Sequence, residues 1–197
     1  MNHRFLAPIT LSLALANLVT SWPAGAAAQS AGAASPPPVV PAKTYTNRTA
    51  HYSFAYPATW KVNLRRDIST FNSQNIQAFN ITVYAPGNND EGFGALGFKG
   101  ALCVARIRLC LDQVLSIGAP PRSKIAYGTT LISGVSFQTA RYRGKGRNDG
   151  IPVDATAYAA IYRGITYLFL SAYVLNNAAT ATQRAQVLAV VRSVRIA

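Results

Sequence analysis

Between residues 51 and 175 apolar side chains recur mostly at every second position, the period of a strand with one face covered. His51 to Tyr56 reads HYSFAY, with Tyr52, Phe54 and Tyr56 on one side, and Pro57 ends the run because proline cannot donate to a ladder. Trp60 to Leu64 places Trp60, Val62 and Leu64 on one face, and Ile76 to Tyr84 is rich in β-branched and aromatic residues, so two further strands are predicted. Pro86 to Gly100, PGNNDEGFGALGFKG, has the glycine and asparagine content of a long exposed loop. Leu111, Val114, Leu115 and Gly118 then recur at helical spacing, with Asp112 near the amino end and Pro120 and Pro121 beyond the close. Strands resume at Lys124 to Ile132, Val135 to Arg143, Val153 to Tyr162 and Ile165 to Leu175. Their short turns at Ser133-Gly134, Gly144 to Gly150 and Arg163-Gly164 predict an antiparallel meander.

Ile165 to Leu175, ITYLFLSAYVL, is apolar almost without interruption, which a strand requires only if both of its faces are covered. One cover is predicted from the last segment. Thr180 and Gln183 have the spacing of a capping box, Val187, Leu188, Val191 and Val194 form a stripe, and Arg192 and Arg195 fall where cations favour a helix carboxyl end. The expected architecture is α+β: an antiparallel sheet of about six or seven strands with helices packed on it.

The amino-terminal 28 residues read differently. His3 and Arg4 precede an apolar run from Phe5 to Val19, then Trp22-Pro23 and small residues ending Ala26-Ala27-Ala28, the pattern of an export signal cleaved after Ala28. The run is about 15 residues, short of the roughly 20 that span a bilayer. No cysteine lies near the cleavage point to accept a lipid. Residues 29–44 are rich in Ala, Ser and Pro and are expected to form a disordered tether, leaving one domain from Tyr45 to Ala197. The expected location is the periplasm, a lumen or the outside of the cell.

Composition narrows the chemistry. Of 197 residues, 50% are hydrophobic and only 13% charged, with 19 Lys and Arg against 6 Asp and Glu. Loss of Arg4 with the signal leaves a net charge of +12. Six carboxylates, two cysteines and, after cleavage, a single histidine, His51, supply few parts for metal sites or acid–base pairs, so no enzyme, cofactor or metal is expected. His51 stands at the start of a strand, more in keeping with an edge residue than a general base. Asp149 and Asp154 flank a turn, where Asp serves turn geometry. Asn88-Asn89-Asp90-Glu91 offers oxygens for calcium without the spaced carboxylates of an EF-hand.

Two features remain. Cys103 and Cys110 are the only cysteines of an exported chain, which favours a disulfide; two buried thiols are the alternative. In a continuous helix residues seven apart lie about 10.5 Å from each other, beyond the roughly 7 Å limit for bridging. A bond therefore requires the helix to begin at or after about Leu109, with Cys103 in a strand or turn. The second feature is Arg141-Tyr-Arg-Gly-Lys-Gly-Arg147, which in an extended chain puts Arg141, Arg143, Lys145 and Arg147 on one face leading to a hairpin tip. Such a face could dock phosphate, lipid headgroup or an acidic partner, or could serve only to keep the hairpin soluble and its edge unpaired.

Phe54-Ala55-Tyr56-Pro57-Ala58-Thr59-Trp60, an aromatic strand running into Pro-x-x-Trp, resembles the opening of the PsbP family and its Mog-type and DcrB-type relatives. Thr130-Leu131-Ile132-Ser133-Gly134 resembles the family's turn before its long hairpin, Gly164-Ile165-Thr166-Tyr167 its Gly-x-x-Tyr strand start, and Val191 to Ile196 its closing helix and tail. The resemblance spans roughly Tyr45 to Ala197 and implies a noncatalytic exported domain. PsbP-like proteins attach to the lumenal side of photosystem II or assist its assembly, while other relatives are envelope or binding proteins. Cyanobacterial members commonly carry a lipid anchor, which is not expected here without a cysteine near the cleavage point, the chain is far more basic than most of the family, and no family metal or binding residue carries over to a numbered position. The expected function is docking, by the basic surface, on a membrane protein complex or anionic envelope component, with peripheral membrane contact and no nucleic acid. The alternative is a carrier of a small apolar ligand, suggested by aromatics such as Tyr52, Phe54, Tyr56, Tyr167, Phe169 and Tyr173.

Overall fold

A computed structural model describes residues 42–71, 74–87, 92–100, 107–116, 123–146, 150–175 and 180–197, with side chains for all of these except 65–71, 74–80 and Thr180. In chain order the elements are β1 (Ala42–Asn47), β2 (Tyr52–Pro57), β3 (Lys61–Phe71), β4 (Gln74–Tyr84), β5 (Gly92–Lys99), α1 (Ile107–Leu115), β6 (Ile125–Ile132), β7 (Val135–Lys145), β8 (Pro152–Tyr162), β9 (Ile165–Val174), α2 (Thr180–Ser193) and β10 (Arg195–Ile196). Seven strands form an antiparallel sheet in the order β3-β4-β5-β9-β8-β7-β6, and β1, β2 and β10 form a second sheet with β2 in the middle. The class is α+β, as the apolar periodicity predicts.

The apolar run of β9 explains itself in this order, because β9 is the central strand of the seven. Its odd-numbered side chains Tyr167, Phe169 and Tyr173 join a core with Tyr52, Phe54, Phe93, Phe137 and the α2 valines. Its even-numbered Leu168 and Val174 join a second core with Ala140, Tyr142, Ala157 and, from α1, Cys110, Leu111 and Leu115. Alternate residues of a strand face opposite sides. The large sheet is therefore covered by α1 on one face and by α2 with the small sheet on the other.

The stretch read as a long loop contains β5, which lies between β4 and β9 in the interior of the sheet. Two of its glycines, Gly92 and Gly97, are close-packing positions. A Cβ on Gly97 would meet the Cβ of Ala50 at 2.5 Å and the Tyr52 ring at 3.1 Å, so the glycine lets the β1–β2 turn settle on the large sheet. Phe93 and Ala95 point into the first core and Phe98 into the second. Glycine-rich composition therefore marked close approach of neighbouring chain segments, not exposure. Asn88, Asn89, Asp90 and Glu91, the calcium candidate, lie outside the described residues.

Four other expectations need correction. Residues 42–44, read as tether, belong to β1, which pairs with β2 from Ala42↔Pro57 to Asn47↔Tyr52. The stripe of α2 is buried through Val187, Val190, Val191 and Val194, but Gln183 Oε1 has no hydrogen-bond partner, so the capping box does not form. The helix already includes Thr180, whereas a capping residue stands outside the helical turn. Arg195 lies past the helix end, in β10, and its guanidinium donates to the carbonyls of Arg192 and Val194 at 3.0 Å. Asp112 sits in the middle of α1, where its carboxylate accepts a 2.6 Å bond from the Tyr127 hydroxyl.

Candidate functional site

The hairpin of β7 and β8 changes its buried face midway. Val135 and Phe137 point into the core under α2, whereas Ala140 and Tyr142 point to the opposite core under α1. Residues 141, 143 and 145 share the face of Val135 and Phe137, but they are exposed. The strand outruns the layer that covers its first half, so the same face turns from apolar to cationic along its length.

Arg141, Arg143 and Lys145 are thus brought together on one exposed face, as the alternation predicts; Arg147 lies outside the described residues. The three differ in what holds them. Arg141 grips Asp154 of β8 with both arms of its guanidinium, Nε to Oδ1 at 2.7 Å and Nη2 to Oδ2. The Asp154 side chain is 2% exposed and that of Arg141 is 48% exposed. Tyr173 of β9 donates its hydroxyl to Asp154 Oδ2 at 2.9 Å. Burial alone would raise the Asp154 carboxyl, but the bonds from Arg141 and Tyr173, with the nearby charge of Arg143, hold it below its ordinary value. The bond to Asp154 in turn raises the Arg141 guanidinium above its ordinary value. Asp154 is a strand residue that anchors one cation, not a turn residue.

Arg143 and Lys145 remain directed outward. Lys145 is fixed at its backbone by the Tyr142 hydroxyl, which donates to its carbonyl at 2.7 Å. A Cβ on Gly144 would lie 2.5 Å from that hydroxyl, so the glycine makes room for the tyrosine. Gly146 N–H bonds to the Ile151 carbonyl at 2.7 Å and narrows the hairpin neck. A further cation, absent from the sequence reading, joins from α2: the Arg184 guanidinium lies 5.9 Å from the centre of the Tyr173 ring. Its only signal in the sequence was its place one turn before Val187, on the flank of the valine stripe near the amino end of α2. The Arg108 guanidinium lies 4.9 Å over the Tyr127 ring on the α1 side.

Cys110 is fully buried in α1. The helix begins at Ile107, two residues before the limit set for a disulfide, yet still after Cys103, which lies outside the described residues. His51 is exposed and occupies the turn before β2 with φ 51°. The aromatics behind the carrier reading pack on one another: Phe54 and Phe93 edge to face at 4.9 Å, Phe137 and Phe169 stacked at 5.3 Å. They fill the core. Among the described residues no group of three or more His, Cys, Asp or Glu side chains could hold a metal ion, and no helix is long and apolar enough to cross a membrane.

No family model and no curated protein matches the chain. Its fold does have counterparts. The chain is similar to the solution structure of cyanobacterial PsbP from Synechocystis sp. PCC 6803, with a TM-score of 0.52 and 13% identity over 85% of this chain and 99% of that one. A crystal structure from Bacteroides thetaiotaomicron VPI-5482 overlaps more loosely, with a TM-score of 0.45 and 14% identity over 79% of this chain and 48% of that one. The fold is PsbP-like, in keeping with the motif resemblance.

Proposed function

We propose that the chain is a noncatalytic, exported docking module that binds a membrane protein complex or anionic envelope component through the uncovered end of its large sheet. The observation that supports this reading most is the division of labour on β7. The carboxylate of Asp154 occupies Arg141, while Arg143 and Lys145 stay exposed beside it and Arg184 stands over the neighbouring Tyr173. The paired strand fixes the backbone spacing of Arg143 and Lys145, so that only their side chains have to be ordered when an anionic surface meets them. A PsbP-like fold and an export signal agree with such a role. Within the same reading, a Cys103–Cys110 disulfide ties the chain leading from β5 into α1, in an oxidising compartment.

Capture from detergent-solubilised native envelope tests the reading, using chain from Gln29 onward at two salt concentrations and an unrelated protein of equal positive charge as control. One membrane complex recovered at low salt, reduced about tenfold at high salt as screening requires, and absent from the control is the expected result. Reversal of Arg143, Lys145 and Arg184 to Glu should abolish that recovery. Arg141 is left intact because its change would disturb folding. Undiminished recovery by the reversed variant would overturn the proposal.

A further inference from the structure

The opposite end of β8 carries a second cationic feature of a different kind. The 11 residues of β8 separate the β7–β8 tip from the Arg163-Gly164 turn, roughly 33 Å end to end at strand rise. There the edge of the small sheet and the end of the large one leave an open cavity of about 440 Å³, lined by His51, Lys99, Arg163, Ile165, Tyr167 and Ala197 among others. That volume falls in the range of small-molecule sites.

The lining is fixed by the main chain. Lys99 ends β5 opposite Ile165, and the Gly100 N–H bonds to the Gly164 carbonyl at 2.9 Å, which locks the lysine to the turn. The Ala197 N–H bonds to the His51 carbonyl at 3.0 Å and holds the histidine at the other rim. Arg163 is steadied by the Tyr162 ring, 5.0 Å from its guanidinium carbon. Below these polar groups lie Ile165, 7% exposed, and Tyr167, 1% exposed. Of the described carboxylate side chains, Asp112 bonds to Tyr127 and Asp154 to Arg141 and Tyr173, each away from this rim.

The choice of residue at the turn is costly by itself. Arg163 and Gly164 have φ of 49° and 74° and close a two-residue hairpin, Tyr162 pairing with Ile165. Such turns favour Asn, Asp or Gly at the first position because that position is left-handed. His51, across the cavity, is also left-handed at φ 51°. Of the three non-glycine residues with positive φ among the described residues, two, His51 and Arg163, line this cavity, while the third, Ser133, holds the β6–β7 turn.

We infer that this cavity binds a small organic oxyanion, its charged head between Lys99, Arg163 and His51 and its apolar body on Ile165 and Tyr167. The site is separate from the docking face, so either can fail without the other.

Phenyl phosphate is the probe, titrated into isotope-labelled protein with amide shifts as readout. Saturable shifts confined to residues 51, 100 and 163–167 are expected, with binding at least ten times tighter than inorganic phosphate. Arg163→Asn, which suits the left-handed turn better and so preserves folding, should weaken binding at least fivefold, and Lys99→Gln should do the same. The pair Arg143→Gln and Lys145→Gln should leave it unchanged. Shifts that do not saturate or spread over the whole basic surface, or full affinity in Arg163→Asn, would overturn the inference.

Discussion

The guanidinium of Arg141 and the carboxylate of Asp154 meet in two hydrogen bonds across neighbouring strands, one group half in water and the other sealed beneath it. The pair is asymmetric, and so should be the cost of breaking it. Arg141→Met leaves a buried carboxylate with the Tyr173 hydroxyl bond and only the more distant charge of Arg143, and should destabilise the fold by about 3 kcal/mol. Asp154→Asn lets the arginine turn to solvent and should cost about 1 kcal/mol. Urea unfolding of the two variants checks the order; equal losses would remove the asymmetry.

The same pair should shape the acid limb of stability. Asp154 has a lower value folded than its ordinary one: burial opposes this, and the bonds from Arg141 and Tyr173 prevail. A group depressed in the folded state contributes stability above its unfolded value, near 4, and loses it as pH falls through the folded value. The urea midpoint should therefore drop below about pH 4, and Asp154→Asn should show a shallower drop over the same window. Parallel curves for the two proteins would assign the acid limb to other carboxylates.

Gly97 should tolerate no side chain. Gly97→Ala places a methyl 2.5 Å from that of Ala50 and 3.1 Å from the Tyr52 ring, an overpacked contact between sheets worth about 2 kcal/mol. Ala50→Gly in the same chain should recover part of the loss. Thermal unfolding of the single and double variants measures it, and a double variant no better than the sum of its parts would place the strain elsewhere.

A Cys103–Cys110 bond would close a short loop at the entrance to α1, where Cys110 is fully buried. Loop-closure entropy for about eight residues gives roughly 2.5 kcal/mol. Mass spectrometry after alkylation without reductant should find no modified cysteine in protein recovered from the periplasm, and Cys103→Ala should lower the unfolding free energy by about that amount. Two alkylated thiols in the unfolded, unreduced protein would exclude the bond.

Local pattern carried most of the architecture. Period-two alternation located β2 and the start of β3, β-branched and aromatic content located β4, short turns delimited the meander β6 to β9, and the unbroken apolar run Ile165 to Leu175 marked the strand that proved central, since only a strand covered on both faces gains by burying every side chain. Pairs too weak in pattern were lost: β5 because its glycines resemble a loop, β10 because two residues carry no period, β1 because its exposed residues alternate with nothing.

The cationic run at Arg141, Arg143 and Lys145 was legible because a strand fixes which neighbours share a face. Its partners were not. Asp154 comes from the next strand and Arg184 from a helix 41 to 43 residues along the chain from Arg143 and Arg141, and Lys99, His51 and Arg163 meet only where two sheets end together. The sequence by itself determined the elements and the faces of its strands, because these follow from side-chain period and backbone sterics. Only the tertiary structure decided which cation is neutralised and which stays free, because that depends on carboxylates and cavities assembled from segments far apart in the chain.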